Sequence, residues 1–301
     1  GKVNTQKIKN MDEQKPRFVG GLKPLKPDKR DFQYHQVFAS IYKLPDYDFM
    51  VGTPLEIKNQ FETDFCAAFA TCSVSELQEG VILSPEYQFA QIKKIEGSFE
   101  GWGTDLRTAV KWAVKIGSIE LIQANFKLHH PEFDYSRDFL ANWQNWPKKL
   151  EEEAKKHIKK SYFNIGVGNY IDLFDALRAT LWQNKDYKRG ILTGALWRND
   201  WTYTQKAIIP DEYGQGQYGH SFAFIGQKII NDIPYLVAQL SNGEDIGDKG
   251  LFYFPRKAVN NECRFGNFMF VDQDPEQIKK IVWSWQLKVY DFVNKQIGKL
   301  F

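Results

Sequence analysis

Cysteine is scarce in this sequence. Cys66, Cys72 and Cys263 are the three in 301 residues, an odd number, widely spaced and without a CxxC pair. That usage excludes a disulfide scaffold and a cysteine-rich zinc module and points to a reducing, cytoplasmic compartment. An uninterrupted apolar run of about eighteen residues is also missing, so no segment is expected to cross a bilayer. The first thirty residues are polar and basic, unlike the apolar core of a signal peptide. The chain starts at Gly1 rather than Met, which leaves open a targeting segment removed earlier. Charge of one sign is lacking too. Forty basic against 37 acidic residues leave +3, too balanced for nucleic acid or a membrane surface as the main partner. No cofactor or metal is expected.

What is present is apolar and aromatic. With 43% hydrophobic residues, 15% aromatics and nine Trp, the chain can fill a sizeable globular core. Residues 1–43 carry Lys and Pro clusters with little periodicity and read as an extended arm. The span Thr63 to Gly80 reads as a helix capped by Thr63 or Asp64 and ended by Gly80, with Cys66 in its first turn. Asp105 opens a second helix, with Leu106, Ala109, Val110 and Ala113 on one face and Gly117 at its end. Pro147 to Lys160 is charged and reads as a solvated helix. Strand-like runs follow at 162–166, 190–197, 221–226, 235–238 and 250–255, interrupted by a helix over 171–181. Helices before strands predict an α+β protein of two lobes, a helical lobe over about 55–150 and a strand-rich lobe over about 160–271. Residues 272–301 carry an amphipathic stripe through Ile278, Ile281, Val282, Trp285, Val289, Phe292 and Val293. That helix docks on its own core or on a partner.

A lone cysteine before an apolar helix is more often a packing residue than a nucleophile. In the first turn, however, unpaired N–H groups and the helix dipole favour its thiolate. Six residues upstream, Gln60 offers an amide donor that, with the Cys66 backbone N–H, would suit the oxyanion of an acyl intermediate. Of five histidines, His35, His129, His130 and His157 are most simply solvent-facing. His220 follows Gly219 and opens the 221–226 strand, where an imidazole could face a cleft.

Lys58-Asn-Gln-Phe-Glu-Thr-Asp-Phe-Cys-Ala-Ala-Phe69, preceded by Leu44-Pro-Asp-Tyr-Asp-Phe49, resembles the nucleophile motif and mature start of papain-like cysteine peptidases. Pro27-Asp-Lys-Arg-Asp-Phe32, Gly103-Thr-Asp-Leu-Arg107 with Gly117, and Gly247-Asp-Lys-Gly-Leu-Phe-Tyr-Phe-Pro255 are similar to that family's bacterial and phage branch. The matches run in the family's order from Lys26 to Arg256. His220 lies about 150 residues after Cys66, close to the roughly 130–150 of papain-type enzymes. The resemblance implies a helical lobe and a β-barrel-like lobe with the active site in the cleft between them. It further implies Cys66 as nucleophile, His220 as base, Gln60 as oxyanion donor, a peptide or protein as substrate, and Gly101, Trp102 and Gly103 on the substrate-binding stretch.

The sequence also departs from the family. Counting back from Gly247, Leu240-Ser-Asn-Gly243 falls on the motif that supplies the asparagine orienting the histidine, with Leu240 in the asparagine's place. Asn242 is the substitute the sequence offers, although two strand residues displace it by about 7 Å. A weakened enzyme, a papain-fold binding protein, and an acyltransferase or deamidase are therefore the alternatives. Glu62, Asp64, Asp211, Glu212, Glu244 and Asp245 flank the site in sequence. As a cleft rim they would favour basic peptides; as solvated loop charges they would not.

Overall fold

The structure, a computed structural model, describes residues 21–25, 28–31, 33, 46–97, 103–121, 141–142, 147–183, 188–211 and 216–271. Its first long element is α1, Cys66–Glu79, a helix with buried side chains from Cys66 through Leu77. Apolar and small residues on every side make it a core helix rather than a surface one. Gly80, at φ 74°, ends it, its N–H donating to Glu76 O at 2.8 Å. The expected caps are not used. Phe65 stands at the N-cap without a side-chain hydrogen bond, because the Thr63 hydroxyl donates instead to Gln60 O at 2.6 Å.

Two helices flank α1. Helix α2, Pro85–Glu96, was not marked by the sequence pattern. Ser84 accepts from the Tyr87 N–H at 3.2 Å and Pro85 occupies the first turn. Helix α3, Leu106–Lys115, starts as expected at Asp105, which accepts from the Thr108 N–H at 3.0 Å. Ile92 of α2 and Leu106, Ala109 and Val110 of α3 join the core containing Ala67, Ala70 and Val74 of α1.

Behind α1 lies one antiparallel sheet. Its strands are β1 (Phe49–Met50), β2 (Ser161–Gly166), β3 (Ile191–Trp197), β4 (Tyr218–Ile230), β5 (Ile233–Gln239), β6 (Leu251–Pro255) and β7 (Asn267–Val271). The order is β2-β7-β3-β4-β5-β6, with β1 added on β4. Long central β4 pairs with β3 on one side and β5 on the other, the latter register shifting between Phe224 and Gly226. Trp197, Phe222, Phe252 and Phe254 fill the sheet's interior, Phe222 and Phe254 stacking at 4.9 Å. Helix α5, Tyr170–Gln183, confirms the helix expected at 171–181, and α6, Arg256–Glu262, follows β6. The fold is α+β, with helical and strand-rich lobes, as expected.

The charged run after Pro147 forms α4, Lys149–Ala154, and a 3-10 turn, Lys155–His157. The helix face is solvated as expected, with Lys149, Glu151 and Glu152 exposed, but the chain beyond it turns inward. His157 is nine-tenths buried against Glu79, and Lys159 is 3% exposed. Both side chains are turned inward by pairing with the carboxylate at the end of α1.

Parts of the arm are described. Leu22 forms a parallel bridge with Thr104, and Gln33 with Asn164. Asp31, buried, pairs with Arg107 of α3 and accepts from the Tyr162 hydroxyl of β2 at 3.0 Å. One carboxylate thus ties the arm to both a helix and the sheet. His35, His129, His130, Gly101, Trp102, Glu212 and the expected helix over 272–301 lie outside the described residues. No helix among the described residues is long and apolar enough to cross a membrane.

Candidate active site

Cys66 is the first residue of α1 and fully buried. Backbone N–H groups of Gly21, Ser221 and Ala67 point at its thiol. Each of them favours the thiolate, as helix-start geometry predicts. Burial nevertheless outweighs them and pushes the thiol up to about 11. The sequence-based expectation of a lowered thiol fails in this closed state for that reason.

His220 sits near the start of β4, opposite Ala195 of β3, and is also fully buried. Ser221, the next residue, brings its N–H to the Cys66 thiol, so α1 and β4 meet where the two candidate residues reside. The Trp197 indole packs edge-on against the imidazole with ring centres 5.4 Å apart. Enclosure among aromatic groups drives the His220 ring down to about 3. Thiol and imidazole are consequently both neutral near pH 7.

Gln60 is held at three points. Its backbone N–H donates to Ser241 O at 2.8 Å, its side-chain oxygen accepts from the Ser241 hydroxyl at 2.6 Å, and its Nε2 donates to Thr63 O at 2.8 Å. An amide nitrogen carries two protons, so one N–H remains for another acceptor. Leu240, before Ser241, is buried among apolar residues. Asn242, after it, bridges Asn59, and its buried Oδ1 takes no hydrogen bond. The structure therefore does not bring Asn242 Oδ1 to the His220 ring as an acceptor.

The space between α1 and β4 holds the arm. Leu22 N donates to Gly219 O at 3.1 Å, Lys23 N to Thr104 O at 3.0 Å, and Thr104 N to Gly21 O at 3.0 Å. A Cβ on Gly103 would stand 1.7 Å from Gly21 O, and one on Gly219 2.5 Å from Leu22 O. Both positions admit a passing backbone only as glycine. The Leu22 side chain fills a slot floored by Gly194 and Phe265. A hollow of about 570 Å³, lined among others by Thr202, Lys206, Asp245 and Tyr253, shares no residue with this site.

The carboxylates that flank the site in sequence occupy different environments. Asp64 is buried beside Gly21, Asp211 pairs with Lys257 at 3.5 Å, and Asp245 lines the separate hollow. Ser241, Trp197 and the Ser221 N–H were not singled out by sequence reasoning. Ser241 alone had a signal, its place beside Leu240.

No known family's sequence model matches the chain, and no curated protein matches it in sequence. Solved structures do match in shape. Xylellain, a cysteine protease from Xylella fastidiosa, superposes with a TM-score of 0.66 at 17% identity, covering 85% of this chain and 96% of that one. The fold is papain-like. Procathepsin L2 from the larval midgut of Tenebrio molitor gives 0.63 at 14% identity, over 90% of this chain and 83% of that one. The bromelain protease of Ananas comosus gives 0.54 at 16% identity, over 76% and 100%. Within this papain-like fold, the helical and strand-rich lobes meet at α1 and β4, where Cys66 and His220 lie.

Proposed function

We propose that the chain is a cysteine peptidase whose cleft is filled by its own arm. The observation carrying this reading is the approach of two backbone N–H groups to the Cys66 thiol, that of Ser221 beside His220 and that of Gly21 in the arm, whose next residue bonds Gly219 of the same strand. In the proposed reaction the Cys66 thiol loses its proton to His220 and attacks the scissile carbonyl. The free Gln60 N–H and the Cys66 backbone N–H hold the oxyanion. His220 then protonates the leaving amine and activates the water that releases the acyl group.

With Gly21 and Leu22 in the channel, burial keeps both reacting groups neutral. Withdrawal of the arm would admit water, lower the cost of the charged pair and open the position beside Cys66. The proposed protein is thus latent until the arm leaves. The substrate is a peptide or protein, and a reducing compartment, which keeps Cys66 as a thiol, suits the chemistry.

A second reading is a papain-fold binding protein. It is favoured by Leu240 in the orienting asparagine's place and by the unbonded Asn242 Oδ1. Labelling by a thiol-directed peptide electrophile separates the two. Covalent modification at Cys66 of the folded Leu22→Asp protein, whose arm is displaced, lost when Cys66 is also Ala and strongly slowed when His220 is also Ala, supports the peptidase. Labelling of that variant only after unfolding supports the binding protein.

A further inference from the structure

Beyond the cleft, one group of side chains has a donor arrangement that its own hydrogen bonds do not complete. Glu79 ends α1, so it lies at the opposite end of that helix from Cys66. Its carboxylate engages His157 Nδ1 and Lys159 Nζ. A carboxylate on Nδ1 takes the ring's proton on that side and leaves the Nε2 lone pair pointing away. The His157 side chain is nine-tenths buried, and Nε2 makes no hydrogen bond. It points at Glu120 Oε1, 3.8 Å away, and at Glu153 Oε1, 3.9 Å away. The three atoms lie within 4.8 Å of one another.

Those separations choose between two ways of satisfying the cluster. A proton on Nε2 would draw a carboxylate to about 2.7–2.9 Å, and neither carboxylate is that close. A divalent ion about 2.0–2.2 Å from each ligand separates neighbouring ligand atoms by about 3.4 Å at the tetrahedral angle. Each oxygen needs to draw in on Nε2 by about 0.5 Å to reach that spacing, and the two oxygens on each other by at most about 1.4 Å.

The local chain is built to hold these groups together. Glu153 and His157 stand four residues apart across α4 and its 3-10 turn, on one side of the helical path. Gly117, at φ 78°, would place a Cβ 2.1 Å from Ala154 O, so only glycine lets the 117–120 segment reach this turn. Lys159 N donates to Ala113 O at 3.0 Å, and Glu120 bridges Leu83 beyond the end of α1. Lys156 pairs with the other oxygen of Glu153, aiming Oε1 inward.

The geometry points to a site for a divalent first-row transition cation, Zn²⁺ being the type suited to one imidazole and two carboxylates, at His157 Nε2, Glu120 and Glu153. Glu79 is a positioning residue that holds the His157 tautomer, and water completes the coordination. The bound ion clasps α4 and its turn to the segments beyond the C-terminal ends of α1 and α3. The site is independent of the peptidase reading.

The test uses the full chain carrying Cys66→Ala, which removes the candidate active-site thiol as a competing ligand. After chelator treatment, Zn²⁺ is titrated by calorimetry and thermal unfolding is followed with and without it. One site that raises the unfolding temperature is expected. His157→Gln and, for a mild change at a partly exposed ligand, Glu120→Gln should each lose that site or weaken it at least tenfold. Glu79→Gln should weaken it about 10–100-fold without changing the stoichiometry. Because Glu120→Gln leaves the buried imidazole in place, it keeps the test decisive if His157→Gln does not fold. No Zn²⁺ binding at about 100 µM, or unchanged affinity and stoichiometry in Glu120→Gln, would overturn the site and leave His157 as a structural hydrogen-bond partner of Glu79.

Discussion

The Ser241 hydroxyl donates to Gln60 Oε1 at 2.6 Å, across from a segment that follows β5 to one that precedes α1. Ser241 thereby fixes which face of the Gln60 amide presents nitrogen. On the proposed reading, in which Gln60 donates to the oxyanion, Gln60→Ala should cost about 10²–10³ in kcat. Ser241→Ala leaves the donor but frees its rotation. It should lower kcat about tenfold with KM little changed, measured by steady-state hydrolysis of a fluorogenic peptide after arm removal.

Leu22 anchors the arm through its slot against Gly194 and Phe265. In Leu22→Asp a carboxylate would have to enter that apolar slot, which costs several kcal/mol unless the arm leaves. The variant should react with a thiol electrophile at Cys66 at least tenfold faster than the parent, followed by intact-protein mass spectrometry. Equal rates would mean that the arm does not limit access.

Asp31 and Arg107 form a buried pair shared by the arm and α3. Asp31→Ala leaves the guanidinium without its carboxylate, a type of change that costs about 3–5 kcal/mol. Urea unfolding should show a loss of this size, and proteolysis should cut the arm sooner than in the parent.

Glu86 is buried at the start of α2, and burial raises its carboxyl from 4.5 to about 7. The folded state therefore holds this proton more tightly than the unfolded state does. Its contribution is fully present below pH 4.5 and is lost as pH rises through 7. Glu86→Gln should match the parent's stability near pH 4 and exceed it above pH 7 by on the order of 3 kcal/mol. Denaturant melts at both pH values check the sign.

Much of this arrangement was legible in the sequence because its signals are local. Asp105 announces α3, Gly80 ends α1, and the strand-rich second half is marked by β-branched and aromatic runs. Helix α2 was hidden because Glu86, Gln88, Gln91 and Lys93 are buried beside Phe89 and Ile92, which blurs the apolar stripe. The contact of Trp197 with His220 depends on the β3–β4 pairing, and no local spacing records it. His157 looked solvated in a lysine- and glutamate-rich run, since only tertiary folding carries it to Glu79. The thiol environment could not be read either, because the helix start and the arm are visible in sequence but the seating of one against the other is not.

The central claim is that Cys66 becomes a His220-assisted nucleophile once the arm is displaced. Its most direct measurement is the rate of Cys66 alkylation by a peptide electrophile in Leu22→Asp, compared with Leu22→Asp/His220→Ala, as a function of pH. The account predicts rapid alkylation at neutral pH in the first protein, at least a hundredfold slower reaction in the second, and no modification when Cys66 is also Ala. Equal rates with and without His220, both following an ordinary thiol titration, would contradict it.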